Sequence, residues 1–125
     1  MSAVVGLRGL ASLDVTEADT AVAMKSGSVQ VLATPRIVAL LEQATCAALA
    51  GHLDEGCTTV GMRVQVDHLQ PTPVGGHVEA EAVLEKIEGR RLTFMVSASD
   101  TKGVVAAGRV TRVLVEVDRF MDKTR

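Results

Sequence analysis

The chain has 125 residues, 47% of them hydrophobic, which suits a single domain spanning 1–125 with a core of its own. Two Phe and no Trp or Tyr exclude the stacking platforms of single-stranded nucleic-acid binders. A formal net charge of −2 with scattered Lys and Arg gives no basic footprint for nucleic acid.

The opening residues MSAVVGLRGLASLD have no basic leader followed by a long apolar run, and no stretch reaches the length of a membrane span. The expectation is a cytoplasmic protein without a membrane partner. Cys46 and Cys57 sit far apart, outside any ligand spacing, and read as reduced thiols.

Along the chain, Val4, Val5, Leu7, Leu10 and Leu13 mark a first strand ending near Val15. TEADTAVAMKSGSVQ, residues 16–30, is small and polar, and reads as a loop or short helical turn. Thr34-Pro35 then signals a helix start, with Thr34 capping the first N–H groups and Pro35 losing no needed donor. The helix runs without Gly or Pro to a stop at Gly51. It is apolar nearly all round, which predicts a buried helix.

After Gly56 the period changes to two. Val60, Met62, Val64 and Val66 alternate with polar residues, predicting a half-buried strand whose core face includes His68. Pro71, Pro73, Gly75 and Gly76 end it. Three more strands follow, around Val78–Leu84, Leu92–Ala98 and Val104–Val117, separated by turns at Glu88–Arg90 and Asp100–Gly103. The charged last residues are expected to fray. Short connections predict antiparallel neighbours for the consecutive strands. The fold class is therefore α+β: a curved antiparallel sheet around one central helix, the hot-dog arrangement. Its unpaired strand edges predict a homodimer.

Glu42 is the only charged side chain between Ile37 and Ala50. Burying an ionised carboxylate costs several kcal/mol unless it is paired or hydrogen-bonded. One reading is a solvent-facing or structural carboxylate; the other is a general base or nucleophile poised toward an electrophile. His68, at the strand end before the Pro-rich loop, is either a satisfied core histidine or a proton carrier at a cleft mouth. Thr34 is either a helix cap or a hydroxyl beside N–H groups able to stabilise an oxyanion. Cys46, one turn beyond Glu42, reads as a small core residue rather than a nucleophile. His52 and His77 read as surface residues. With no His/Cys cluster at ligand spacing, neither a metal nor another cofactor is expected.

VLATPRIVALLEQATCAAL, TVGMRVQVDHLQPTPVG and EGRRLTFMVSASD together resemble the fluoroacetyl-CoA thioesterase family of hot-dog enzymes, over about 31–120. The resemblance implies an acyl-CoA thioesterase with Thr34, Glu42 and His68 as its catalytic set. It also implies Gly61 close to the acyl group, Arg112 near the substrate cleft, and sites at the interface of a homodimer. AMKSGSVQV, before Thr34, lacks the phenylalanines that form a lid in the fluoroacetyl-specific enzyme, which implies a more open site for short or medium acyl groups. The rivals on the same fold are a non-catalytic acyl-CoA or small apolar ligand-binding protein and a hydratase or dehydratase.

Overall fold

A computed structural model describes residues 1–125. Five strands, β1 (Arg8–Asp14), β2 (Cys57–His68), β3 (His77–Glu88), β4 (Arg91–Asp100) and β5 (Gly103–Glu116), and a long helix α1 (Thr34–Leu49) account for most of the chain. The strands form one sheet in the order β1-β3-β4-β5-β2, every pair antiparallel. The sheet curves around α1, as the alternation of strands and one helix predicts. The 16–30 segment holds only a short 3-10 turn at Glu17–Asp19.

Alternation decides which side chains meet the helix. Val78, Ala80, Ala82 and Leu84 on β3, and Leu92, Phe94, Val96 and Ala98 on β4, are all buried. They close on Ile37, Leu40, Leu41, Ala44, Ala48 and Leu49 of α1. Each fully buried Leu or Val contributes roughly 1.5–3 kcal/mol. Gly51, at φ +81°, reverses the chain after the helix in a conformation that costs glycine little.

Four expectations are corrected. First, β2 and β3 follow one another in the chain without pairing. The link 69–76 crosses the end of the sheet, tied by Leu69 N–H to Val105 O (2.7 Å) and by Thr72 Oγ1 to Asp100 Oδ2 (2.9 Å). This carries the chain from one edge, β2, to a place beside β1, the other edge.

Second, β2 does not keep one phase. Gly61 pairs with Arg112, but Arg63 pairs with Thr111, so Met62 is an extra, bulged residue. A bulge switches the faces of the strand on either side of it. Thr59 and Gly61 therefore share the helix side with Val64, Val66 and His68, and Val60 faces away.

Third, α1 is open along one side in the single chain: Ala39, Gln43, Cys46 and Ala47 are exposed. Cys46 is accordingly a surface thiol rather than a core residue. Fourth, the C-terminal residues do not fray at once; Val117–Asp122 form a short helix, α2.

Gly9 on β1 lies so close to α1 that a Cβ there would overlap the carbonyl oxygen of Ala44 and the backbone nitrogen of Ala48. Backbone atoms cannot rotate away as a side chain can. Gly9→Ala should therefore lower unfolding free energy by about 1–3 kcal/mol, the usual range for overpacking. Urea unfolding measures it; an unchanged midpoint would mean that β1 does not lie against the helix.

Candidate active site

Two groups of polar side chains stand along α1. The first is at its N-terminus. Ala33 N–H bonds Asp19 O and Leu32 N–H bonds Thr72 O, each at 2.8 Å, so the chain entering the helix is held on both sides. Arg36 Nε reaches Asp19 Oδ1 at 3.0 Å. Asp19 Oδ2 also accepts the backbone N–H and the hydroxyl of Thr16. The Thr16 backbone bond leads in holding the Asp19 carboxyl below its usual pKa, with the Thr16 hydroxyl and Arg36 adding to it and partial burial opposing them. The loop 16–33 is thus anchored to the first turn of α1.

Within that frame Thr34 is the first helical residue, and Ala33 occupies the cap position without a side-chain cap. The capping role expected for the Thr34 hydroxyl is not the one it has. Thr34 Oγ1 lies 2.8 Å from His68 Nδ1. The hydroxyl is free for this because Arg36 and Ile37 both donate their backbone N–H groups to Ala33 O, and Pro35 has no N–H. In the first turn only the Thr34 N–H lacks a backbone acceptor, so the predicted group of free donors narrows to one.

His68 is half-buried, and its Nε2 is buried without a hydrogen-bond partner. Desolvation holds its pKa below the ordinary 6.5; the backbone of Gln70 opposes this without reaching hydrogen-bond geometry. The imidazole is therefore neutral at pH 7. Which nitrogen carries the proton follows from what Thr34 does. If Nδ1–H donates to Oγ1, the hydroxyl hydrogen is free for another acceptor and Nε2 is a free base. A cavity of about 290 Å³ opens beside the pair, with Ala21, Gly27, Val29, Val31, Leu69 and Pro71 in its walls.

The second group centres on Arg112. Its guanidinium is buried and each of its nitrogens has a partner: Nε donates to Thr59 Oγ1 (2.8 Å), Nη2 to Thr59 O (3.0 Å) and Nη1 to Glu42 Oε2 (3.2 Å). The Glu42 side chain is 34% exposed against 8% for Arg112. The carboxylate is thus reachable from solvent, whereas the arginine is not. Gly61 makes this possible: a Cβ there would stand 2.5 Å from Glu42 Oε2. Thr59, buried and holding the arginine from two atoms, was not singled out from the sequence. A phase switch at Met62 was the signal needed to place it inward.

The sequence candidates therefore divide. Thr34 and His68 meet directly, and Glu42, Arg112 and Gly61 meet directly. The two groups do not touch: Thr34 and Glu42 are eight residues apart on one helix, about 12 Å along its axis at 1.5 Å per residue.

Of the other histidines, His52 Nδ1 lies 3.3 Å from Ser2 Oγ. His77 bridges Glu79 Oε1 (2.6 Å) and Asp14 Oδ1 (2.7 Å). Glu79 first and then Asp14 raise the His77 pKa above 6.5.

Residues 15–118 match the family described as fluoroacetyl-CoA-specific thioesterase. A fluoroacetyl-CoA thioesterase of Streptantibioticus cattleyicolor is 35% identical over 96 residues, covering 77% of this chain and 69% of that protein. A solved fluoroacetyl-CoA thioesterase structure superposes with a TM-score of 0.93 at 30% identity, covering 100% of this chain and 97% of that one. A Thermus thermophilus protein described as a thioesterase superfamily member superposes at 0.90 with 26% identity, over 98% and 90% of the two chains.

The two shifted histidines should titrate on opposite sides of 6.5. His68 resists protonation in the fold, so the stability it contributes is present above 6.5 and falls as pH drops from there through its lower folded value. His77 does the reverse: its contribution is present below 6.5 and is lost as pH rises through its raised folded value. Imidazole NMR shifts against pH should give a midpoint below 6.5 for His68 and above 6.5 for His77. The opposite order would contradict the burial of one and the carboxylate pairing of the other.

Proposed function

Because the chain belongs to the fluoroacetyl-CoA-specific thioesterase family, we propose that its two polar groups are the halves of one site, completed when two copies pair. The protein is a hot-dog thioester hydrolase acting on acyl-CoA. The observation that carries the residue assignment is the division along α1. A thioester carbon must sit within about 3–3.5 Å of its attacking group, and in one chain Glu42 is two helical turns from Thr34 and His68. The exposed face of α1 and the open edge of β2 support an isologous dimer, in which antiparallel helices bring Glu42 of one copy to Thr34 and His68 of the other.

In this reading the thioester carbonyl oxygen lies at the start of α1. The Thr34 hydroxyl and N–H meet the negative charge that grows on it, helped by the positive end of the helix dipole. His68, neutral and donating through Nδ1, fixes the hydroxyl so that its hydrogen points to substrate. Glu42 Oε1, which has no partner, draws a proton from the attacking water. A carbon–oxygen bond forms, the carbon–sulfur bond breaks, and CoA leaves as thiolate. Arg112 acts on Glu42 rather than on substrate, since its guanidinium is shielded from the solvent side and bonded to Thr59 and Glu42. Gly61 lets the carboxylate lie against β2.

The cavity beside Thr34 and His68 has mostly aliphatic and small residues in its walls, with Gln70 and no Phe, Tyr or Trp. This supports short or medium acyl groups as substrates. The free thiols of Cys46 and Cys57 suit a reducing cytoplasm.

Mixing inactive variants tests the shared site. Glu42→Gln keeps an acceptor for Arg112, and Thr34→Val keeps the helix; each alone should lose about 100-fold or more in kcat for acyl-CoA hydrolysis. Random pairing of equal amounts makes about half the dimers mixed, each with one complete site, so activity should recover to about a quarter of wild type. A mixture no more active than its parents would sink the shared site.

Gly61→Ala probes the approach of Glu42. The clash is with the end of a flexible side chain, so folding should survive. The displaced carboxylate should cost about 100-fold in kcat, the scale of a 1 Å misplacement. Wild-type turnover by this variant would separate Glu42 from the chemistry.

A further inference from the structure

The loop 16–33 supplies more than half the wall residues of the cavity beside Thr34 and His68: Ala21, Ser26, Gly27, Val29, Val31 and Leu32. Its tip has little to hold it. Residues 22–30 are exposed, and 27–30 make no backbone hydrogen bond. A segment with few bonds and little burial takes its position from its base. Residues 20–26 form a turn closed on itself. Met24 N–H bonds Thr20 O (3.0 Å), Ser26 N–H bonds Ala21 O (2.9 Å), and Ala23 N–H bonds Thr20 Oγ1 (3.2 Å). That turn is rooted at Thr20, next to Asp19.

One ion pair stands at this base. Arg36 Nε donates to Asp19 Oδ1 at 3.0 Å. Of the side-chain hydrogen bonds made by residues 16–33, it alone leaves the segment. Both partners are sheltered, Arg36 at 26% exposure and Asp19 at 13%, so salt screens them less than it screens a surface pair. Asp19 Oδ2 is held separately by Thr16, which fixes the carboxylate from its other oxygen. Arg36 is two residues beyond Thr34 on the first turn of α1. The pair therefore ties a loosely bonded wall to the same rigid element that carries the Thr34 hydroxyl.

We propose that Asp19 and Arg36 are positioning residues that set the length of acyl chain the cavity admits. This rests on the reading that the acyl group occupies that cavity. Neither residue lines the cavity, so each acts through the loop. With the pair closed, the wall stands at a fixed distance from Thr34 and a short chain fills the space. With the pair broken, the hydrogen bonds left at the base are backbone ones, Ala21 N–H to Val31 O and Ala33 N–H to Asp19 O. The wall then yields to a longer chain and packs less closely on a short one. Thr34 keeps its place, because Leu32 N–H stays on Thr72 O and the hydroxyl stays on His68.

Arg36→Met removes the pair and keeps an aliphatic stem; Arg36→Lys keeps a cation within reach of Asp19. The ratio of kcat/KM for butanoyl-CoA to that for octanoyl-CoA should fall about tenfold in Arg36→Met, the discrimination that one methylene commands in an apolar pocket. The change should lie in KM, with kcat for butanoyl-CoA held. Arg36→Lys should restore most of the ratio. Asp19→Asn, which keeps the shape of the side chain without its charge, should shift the ratio the same way by less. A loss shared equally by the two substrates would mark a pair that only stabilises the fold and would overturn the inference, as would an unmoved ratio. Calorimetry with S-butyl-CoA and S-octyl-CoA, which cannot be hydrolysed, reads the same preference without turnover. A binding ratio that shifts in a protein hydrolysing no acyl-CoA would keep the role of the pair and discard the hydrolase reading. Hydrolysis with both ratios unmoved in Arg36→Met would do the reverse.

Discussion

A buried guanidinium ties an edge strand, its neighbour and the helix of this fold together. Arg112 sits on the inner face of β5, shielded from water, and cannot shed its charge. Such a group must find an anion and enough acceptors, or the strand carrying it is destabilised by several kcal/mol. Thr59 supplies two acceptors from the neighbouring strand and Glu42 supplies the charge from α1. The edge strand, its neighbour and the helix are thereby locked together at one point. This explains why an otherwise apolar helix keeps one carboxylate, and why that carboxylate has a defined place though a third of it meets solvent.

The same economy holds at the start of α1. A first-turn hydroxyl ordinarily satisfies orphan N–H groups. Here Ala33 O accepts two of them, Pro35 removes another, and the chain before the helix is clamped by Asp19 and Thr72. Thr34 is left without a structural duty and turns to His68. Proline at the second position therefore does more than start the helix; it releases a hydroxyl. Burial of the imidazole keeps it neutral, so the pair holds a hydrogen bond rather than a charge.

Much of this was legible in the sequence. The helix bounds, the strand alternation and the curved sheet around one helix follow from periodicity and turn residues. The unpaired charge within the helix marked Glu42. Three things were hidden, each for a physical reason. The bulge at Met62 leaves no mark in an alternating run, so Val60 was assigned to the wrong face and Thr59 was passed over. The path from β2 across to β3 depends on long-range pairing with β5, which local turn signals do not encode. The buried surface of α1 was overestimated because an apolar residue such as Ala39 or Cys46 says nothing about whether its own chain or another covers it.

That last point bears on the chemistry. Ala39, Gln43, Cys46 and Ala47 make an exposed face along α1 on either side of Glu42, and three of these four side chains are small. Small residues let two helices approach closely, and close antiparallel approach superposes the start of one helix on the middle of another. A rigid helix cannot bend Glu42 back to its own Thr34 across two turns. A second helix running the other way needs no distortion to close the same gap. In the proposed dimer, oxyanion donors and base held two turns apart on one rigid element would make association a condition of catalysis. The single chain holds one carboxylate oxygen of Glu42 on Arg112 and the Thr34 hydroxyl on His68, two turns of helix apart.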